Sequence, residues 1–187
     1  VEDYTVIFKD PEISDDTTIW NGTSWSNGNP TLSKHAIVRG VLEQHTDLEA
    51  KTLKIDAGSL TLQDGVTLKV ENSITNLLTS DKFIVKDGAN IVQINDTDND
   101  GLATVYKKST PMVFNDATLW ASPVENQNVR NYSPQTLLKR FYEYNEATNG
   151  FAGLFVYDAN YPPISTLKDP LTYNFSPGKG YHIRVSN

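Results

Sequence analysis

A repeat with an offset of 23 residues is the feature that most restricts the fold of this 187-residue chain. Residues 62–72, with the sequence LQDGVTLKVEN, align with residues 85–95, with the sequence VKDGANIVQIN, and residues 55–62 form a weaker third copy. Each copy places Asp or Ala before Gly and continues with alternating aliphatic residues. Short strands that meet at glycine corners and recur at about this spacing are typical of the coils of a parallel β-solenoid.

An antiparallel sandwich with two similar Asp-Gly hairpins is the alternative interpretation of the repeat. The long shared offset favours the solenoid, because two-residue hairpins alone do not produce it. A solenoid coil has few inward positions, and these must be small or aliphatic. The residues predicted to fill them are Leu60, Leu62, Leu68, Val70, Ile84, Val85, Ile91 and Ile94.

Charge and aromatic content divide the chain into two regions. Residues 1–100 carry 17 acidic and 8 basic side chains, a net charge of −9, and 5 aromatic residues. Residues 101–187 carry 6 acidic and 8 basic side chains, a net charge of +2, and 14 aromatic residues. Two environments of different composition are therefore expected.

Composition argues against several classes of protein. The chain has no cysteine, which excludes disulfide scaffolds, cysteine metal sites and thiol catalysis. Its net charge of −7 disfavours nucleic acid, which is recognised mainly by clustered Lys and Arg. No apolar run approaches the length of a membrane-spanning helix, so no transmembrane segment is predicted.

The pattern of the second region predicts an antiparallel β structure. Residues 141–145 and 150–157 predict a hairpin, and residues 173–175 and 181–185 predict two further strands. The best helix candidate is residues 133–140, with a Ser cap followed by Pro. A sandwich or an open antiparallel sheet fits this pattern.

The predicted fold is therefore all-β, with a short capped parallel β-solenoid followed by an aromatic-rich antiparallel β-sandwich-like domain. Residues 1–32 are assigned to an N-terminal strand and a Trp-rich cap, residues 33–100 to the solenoid, and residues 101–187 to the antiparallel domain.

Three tryptophans are the candidate ligand-binding residues. Trp20 and Trp25 lie in a loop rich in Gly, Asn, Ser and Pro, and two such rings offer a stacking platform for sugars. The competing interpretation is that they cover the open apolar end of the solenoid, as a solenoid end requires. Trp120, in the second region, is the third candidate.

The segment from Asp96 to Gly101 predicts a calcium site. Asp96, Asp98 and Asp100 alternate along the chain and precede a glycine, as in the first half of an EF-hand loop. The bidentate Glu of such a loop is replaced by Lys107, and no flanking helices are predicted. A solvated linker with turn-forming residues is the alternative.

No catalytic residue is predicted, and the chain is not expected to be an enzyme. The sequence lacks the nucleophile-elbow, zinc-protease and dinucleotide-binding motifs. Residues 177–180, with the sequence PGKG, are similar to part of a phosphate-binding loop. Gly180 stands where that loop needs Ser or Thr, so a tight turn between strands is the better interpretation.

Several motifs together resemble those of large secreted surface proteins of flavobacteria and other Bacteroidota. They are the sequences WNGTSWSNGNP at residues 20–30, LWASPV at residues 119–124 and RFYEYN at residues 140–145, the Asp-Gly coils, and FSPGKGYHIR at residues 175–184. The last motif is the most specific, and the resemblance covers roughly residues 20–187.

This resemblance implies export by the type IX secretion system, an extracellular or cell-surface location and an adhesion role. In such proteins the chain usually continues towards a further β-region and a sorting domain, so the remainder of a larger chain is expected as a partner. Surface glycans or other cell-surface proteins are the other expected partners. The main hypothesis is a non-catalytic adhesion module, and the alternative is a carbohydrate-binding module of a secreted polysaccharide-degrading enzyme.

Overall fold

A computed structural model describes residues 14–113 and 115–185 and divides the chain into two compact units, Val1–Lys108 and Ser109–Asn187. The first unit contains the predicted parallel β-solenoid, and the second contains a separate antiparallel sheet. The fold class inferred from sequence is thereby confirmed. In the described part of the chain, no helix has the length and apolar character that crossing a membrane requires.

In the residues that the structure describes, the solenoid has twelve short strands. They are β1 (Thr17–Trp20), β2 (His35–Val38), β3 (Val41–Gln44), β4 (Leu48–Ala50), β5 (Thr52–Ile55), β6 (Ser59–Leu62), β7 (Thr67–Val70), β8 (Ile74–Asn76), β9 (Phe83–Val85), β10 (Asn90–Gln93), β11 (Asp100–Gly101) and β12 (Thr104–Val105). A short 3-10 turn, Ser80–Lys82, precedes β9.

Each full coil contributes one strand to each of three parallel sheets. The sheets have the strand orders β1-β2-β5-β8-β11, β3-β6-β9-β12 and β4-β7-β10. The predicted 23-residue offset is observed between neighbouring coils, where Leu62 lies opposite Val85 and Leu68 lies opposite Ile91. The third copy is different, because Ile55 and Leu62 lie on consecutive strands of one coil. Residues 55–62 therefore form another corner of the same coil.

The solenoid core is apolar and mostly aliphatic. Its buried residues are Ala36, Val38, Leu42, Leu48, Ala50, Leu53, Ile55, Leu60, Leu62, Val66, Leu68, Val70, Ile74, Phe83, Val85 and Ala89. Three residues predicted to face inward do not belong to it. Ile84 lies between the inward residues Phe83 and Val85, so strand alternation turns it outward. Ile91 and Ile94 are 40% and 49% exposed, because no strand follows β10 in its sheet.

Glycines at one corner stack directly on each other. A Cβ atom on Gly58 would lie 2.3 Å from the carbonyl oxygen of Gly40, and one on Gly40 would lie 2.3 Å from the backbone nitrogen of Gly22. Gly58 also has a positive φ of 76°, which side-chain-bearing residues rarely adopt. This corner therefore requires glycine for both conformation and space.

The solenoid extends beyond its predicted limits at both ends. Strand β1 pairs in parallel with β2 and so is part of the first sheet, although residues 1–32 were assigned to a separate segment. Strands β11 and β12 pair with β8 and β9, although the solenoid was predicted to end at residue 100. Residues 1–13 of the predicted N-terminal segment lie outside the described residues.

The second unit, called the β-domain below, has one four-stranded antiparallel sheet. Its strands are β13 (Ala117–Trp120), β14 (Phe141–Asn145), β15 (Gly150–Gly153) and β16 (Tyr181–Arg184), in the order β13-β16-β14-β15. The predicted hairpin is formed by β14 and β15. Strand β16 lies in the interior of the sheet, whereas residues 173–175 make only an isolated bridge through Asn174.

The second layer of the β-domain consists of loops and short helical segments in place of a second sheet. Of the two predicted forms, a sandwich or an open antiparallel sheet, the β-domain therefore has the open sheet. The core contains Val129, Phe141, Leu154, Phe155, Phe175, Tyr181 and Ile183, with Trp120, Tyr132, Leu138 and Tyr173 packed against it. Aromatic side chains supply much of this core, as the composition indicated.

The helix predicted at residues 133–140 is wrong. The structure instead has a one-turn helix, α1 (Val129–Tyr132), and a 3-10 turn at Leu138–Arg140. The Asn128 side chain caps α1 by accepting a bond from the backbone N–H of Asn131 at 2.8 Å. Pro134 disfavours helical backbone at Ser133, which is where α1 ends.

Candidate functional site

Trp20 is the last residue of strand β1, and Trp25 lies in the loop that folds back along this strand. The backbone N–H of Ser26 donates to the carbonyl of Ile19 at 2.9 Å, and Trp20 and Trp25 form an antiparallel bridge. Their ring centroids are 5.6 Å apart with the planes tilted by 57°. The indole N–H of Trp20 donates to the carbonyl of Val41 at 2.9 Å. The rings are therefore held by the fold and are not coplanar.

Both tryptophans pack against the apolar core of the solenoid and are partly buried. They cover the row of core side chains at the first coil, which is the capping role weighed above. We call residues 20–30 the Trp cap. Tilted, partly buried rings are a poorer sugar platform than coplanar exposed ones, so this geometry supports the cap more strongly than the platform.

The Trp cap nevertheless borders a cleft of about 500 Å³, called the cap cleft. Another part of the cleft is lined by the residues from Leu42 to Glu49, which run from β3 into β4. Glu43, Asp47 and Glu49 in this part are exposed, as is His45. The Glu43 carboxylate accepts a bond from the Gln63 amide, and the Asp47 carboxylate accepts one from the backbone N–H of Thr67. The cap cleft thus combines aromatic rings with hydrogen-bond acceptors.

Trp120 lies in the β-domain and has a packing role there. Its ring is 5.1 Å from that of Tyr132, and Tyr132 in turn makes an edge contact with Phe175 at 5.5 Å. Trp120 is partly buried against the β-domain core. It therefore belongs to a different unit from Trp20 and Trp25.

The segment with the calcium motif closes the last coil through its amide side chains. The Asn99 side chain accepts a bond from the backbone N–H of Ile74 at 2.7 Å and donates to the Gln93 side chain at 2.8 Å. Gln93 also donates to the carbonyl of Thr97 at 2.6 Å. These bonds fix the segment to the coil that precedes it, before β11 and β12, and satisfy backbone groups there.

The three carboxylates of this motif, on Asp96, Asp98 and Asp100, are exposed. Among residues 14–113 and 115–185, no three His, Asp or Glu side chains are grouped so that they could hold a metal ion. The geometry shown therefore does not assemble the predicted ligands, and calcium binding stays a prediction.

The PGKG turn of the β-domain carries an ion pair between a partly exposed ammonium group and a buried carboxylate, and sequence reasoning missed this pair. Glu143 on β14 faces the core and is 5% exposed, and its carboxylate accepts a bond from the Lys179 ammonium group at 2.5 Å. Lys179 also lies 5.5 Å from the centre of the Tyr181 ring. Because a carboxylate buried without a partner is strongly unfavourable, Lys179 is the residue that lets Glu143 occupy this position.

Hydroxyl groups extend the polar network beside this pair. The hydroxyls of Tyr173 and Tyr181 are 3.1 Å apart, and the Tyr181 hydroxyl donates to the Ser176 hydroxyl at 3.3 Å. Burial, followed by the hydrogen bond with Tyr181, raises the pKa of Tyr173 well above its usual range. Tyr173 therefore stays a neutral phenol, and the network fixes the turn between residues 175 and 181.

A second cleft, of about 610 Å³, lies beside this turn and is called the hairpin cleft. It is lined by residues 144–147 of the β14–β15 hairpin, by Ile164 and by residues 177–180 of the turn. Tyr144 is 43% exposed, its hydroxyl donates to the Asn149 side chain, and its ring makes an edge contact with Phe151 at 5.8 Å. The cleft thus has an aromatic wall in a fixed position.

A family model described as a domain of unknown function, DUF8693, matches residues 14–187. The chain belongs to the DUF8693 family. The matched region spans the solenoid, the Trp cap and the β-domain with its PGKG turn. Searches of curated proteins and of solved structures find no match.

In this DUF8693 chain, the polar residues that the sequence analysis did not identify are those whose bonding partners are distant from them in sequence. Glu143 is separated from Lys179 by 36 residues. One signal was available: Glu143 occupies the same face of β14 as Phe141, where alternation predicts an apolar residue. A charged residue at an inward position indicates a buried partner.

Proposed function

We propose that this DUF8693 chain is a non-catalytic extracellular module of a larger secreted protein. Its solenoid acts as a spacer, and its β-domain presents a binding surface to glycans or proteins of a cell surface. The resemblance to exported surface proteins of Bacteroidota supports the location and the adhesion role.

The observation that carries this proposal is that the tryptophans pack against the cores of the two units. Trp20 and Trp25 pack against the solenoid core, and Trp120 packs against the β-domain core. The solenoid has a continuous cluster of buried apolar side chains, and its longest sheet joins five strands by parallel pairing. Such a unit provides length and stiffness, which is the property a spacer needs.

Two measurements on the purified chain test whether it binds polysaccharide without cleaving it. Insoluble polysaccharides are incubated with the protein, and the bound fraction and the release of reducing ends are measured together. Retention on at least one polysaccharide without release of reducing ends is the expected result. Release that increases with protein concentration would contradict the non-catalytic assignment.

Antibody labelling of intact cells that produce the protein tests its location. Labelling without permeabilisation, lost after brief treatment with an external protease, is expected for a surface module. Labelling that requires permeabilisation would contradict the extracellular assignment.

Sugar binding at the cap cleft is the second candidate function, as in a carbohydrate-binding module. The observation that favours it is the presence of two indole rings and several exposed acceptors around one cleft of suitable size. Trp25→Ala should then weaken polysaccharide retention, whereas Trp120→Phe, in the other unit, should leave it unchanged. Equal retention by wild type and a folded Trp25→Ala variant would exclude this cleft.

A further inference from the structure

Gly180 is a glycine that neither backbone conformation nor packing requires. Its φ lies outside the left-handed region, and a Cβ atom built on it meets no atom within 4 Å. Gly178, two residues earlier, differs because its φ is +70° and the turn needs glycine there. A Cβ atom on Gly178 also meets no atom within 4 Å, so the two glycines differ in conformation only. At position 180 a side chain could be added without left-handed strain, and its absence leaves open space beside the backbone.

That open space belongs to the hairpin cleft. Gly180 lines the cleft, and it directly precedes Tyr181, which lies opposite Glu143 in the sheet. Continuing this antiparallel register places Gly180 opposite Tyr144, on the face of the sheet where Tyr144 is exposed. A larger residue at position 180 would project into the space next to the Tyr144 ring.

The groups around the cleft can both donate and accept hydrogen bonds. The Lys179 ammonium group uses one bond on Glu143, and its side chain is 37% exposed, so further donors remain for a ligand. Glu146 supplies an exposed carboxylate, and Asn145 supplies an amide whose oxygen accepts a bond from the backbone N–H of Ala147. Tyr144 and Ile164, which are 43% and 45% exposed, supply apolar surface.

We propose that the hairpin cleft binds a neutral saccharide, with Tyr144 as the ring-stacking residue and Gly180 as the residue that keeps the cleft open. A hydroxyl-rich ligand matches a site that offers donors, acceptors and an aromatic wall. A neutral ligand is favoured over an acidic one because the Lys179 ammonium group is already paired with Glu143, which leaves the Glu146 carboxylate as excess negative charge at the cleft. The volume of about 610 Å³ lies within the range of small-ligand clefts.

This inference names a ligand class for the surface binding proposed above and rests on that proposed function. It differs from the cap-cleft candidate because the hairpin cleft lies in the other unit, is lined by different residues and is tested with different variants. Loss of saccharide binding at the hairpin cleft would leave the spacer role and the surface location intact, because surface labelling of intact cells is measured separately.

The test uses an array of neutral, uronic-acid and sulfated oligosaccharides, followed by calorimetry with the neutral hexasaccharide that gives the strongest signal. Gly180→Leu is expected to weaken binding by at least about tenfold while leaving the melting temperature unchanged, because its side chain enters open space. Gly180→Ala should have a smaller effect. Leu171→Ser is the matched control, since Leu171 is 85% exposed and does not line the cleft.

Tyr144→Leu provides a second variant if Gly180→Leu does not fold, and it should also weaken binding by removing the aromatic ring. Failure of every neutral oligosaccharide to bind wild type would overturn the proposal. So would unchanged affinity in folded Gly180→Leu, preferential binding of acidic oligosaccharides, or loss of binding on Trp25→Ala alone.

Discussion

The solenoid repeats one packing environment in every coil, whereas the β-domain builds each of its environments once. In the solenoid, an inward residue such as Leu68 lies in register with Leu48 on one side and Ile91 on the other. In the β-domain, Glu143 faces the core beside aromatic residues and depends on one distant partner, Lys179. Substitutions in the solenoid should therefore disrupt a row, and substitutions in the β-domain should disrupt a single interaction.

The largest expected effect comes from placing a charge in a stacked row. Leu68→Asp buries a carboxylate at a position that is fully buried and should destabilise the solenoid by more than about 4 kcal/mol. Lys69→Asp, one residue later on the outer face, should cost less than about 1 kcal/mol. Hydrogen exchange with mass spectrometry reads the two units separately, and protection should be lost in residues 35–105 but kept in residues 117–184. Equal effects of the two substitutions would contradict the stacked core.

The next effect compares a stacked glycine with an unstacked one. Gly58 and Gly178 have similar positive φ values, 76° and 70°, but only Gly58 is crowded by another backbone segment. Gly58→Ala should cost about 3 kcal/mol, because left-handed strain and a backbone clash add together. Gly178→Ala should cost about 1 kcal/mol, from strain alone. Denaturant titration of each variant, read by hydrogen exchange in its own unit, checks the difference. Similar costs would mean that the corner glycines do not stack.

A third prediction concerns the isolated ion pair of the β-domain. Lys179→Met should destabilise that unit by about 2–3 kcal/mol, because it leaves the Glu143 carboxylate buried without its partner. Glu143→Leu combined with Lys179→Met should recover most of this loss, since an apolar pair replaces the ionic one. A double-mutant cycle measured by hydrogen exchange gives the coupling between the two residues. Additive losses would show that the pair does not act as a unit.

The smallest effect is a pH dependence confined to the β-domain. Burial, together with the nearby Arg184 guanidinium, lowers the pKa of His182 below 6.5. The unfolded chain therefore takes up the proton first, and the β-domain loses stability as the pH falls from about 6.5 through the lower pKa of the folded state. His182→Gln should remove this dependence, while the solenoid serves as an internal reference. A wild-type β-domain whose stability does not change between pH 7 and 5 would contradict it.

The sequence predicts the solenoid well where a residue has the same environment in successive coils. The offset of 23 residues between residues 62–72 and 85–95 is confirmed, but along the longest sheet the offsets between neighbouring strands are 18, 17, 21 and 25 residues. Corner loops of different length cause this change, so one fixed period cannot detect every coil. The same limitation made residues 55–62 look like a further coil.

The sites are less predictable because their residues meet only in the folded chain. The Trp-rich loop could be located from composition, but its packing against the core depends on strands that follow it. Glu143 and Lys179 are 36 residues apart, and Gly180 is distinguished from Gly178 only by its φ. The helix expected at residues 133–140 did not form: Asn128 caps an earlier turn, which ends before Pro134, and only a 3-10 turn follows at Leu138–Arg140.

Parallel stacking with a defined register is the central claim, and nuclear Overhauser contacts between backbone protons of the isotope-labelled chain test it most directly. Amide-to-Hα contacts are expected between residues 67–70 and residues 90–93, in the register that places Lys69 opposite Val92. The same pattern should connect residues 60–62 with residues 83–85. Strong Hα-to-Hα contacts that run in the opposite order along these segments would show antiparallel hairpins and would contradict the solenoid.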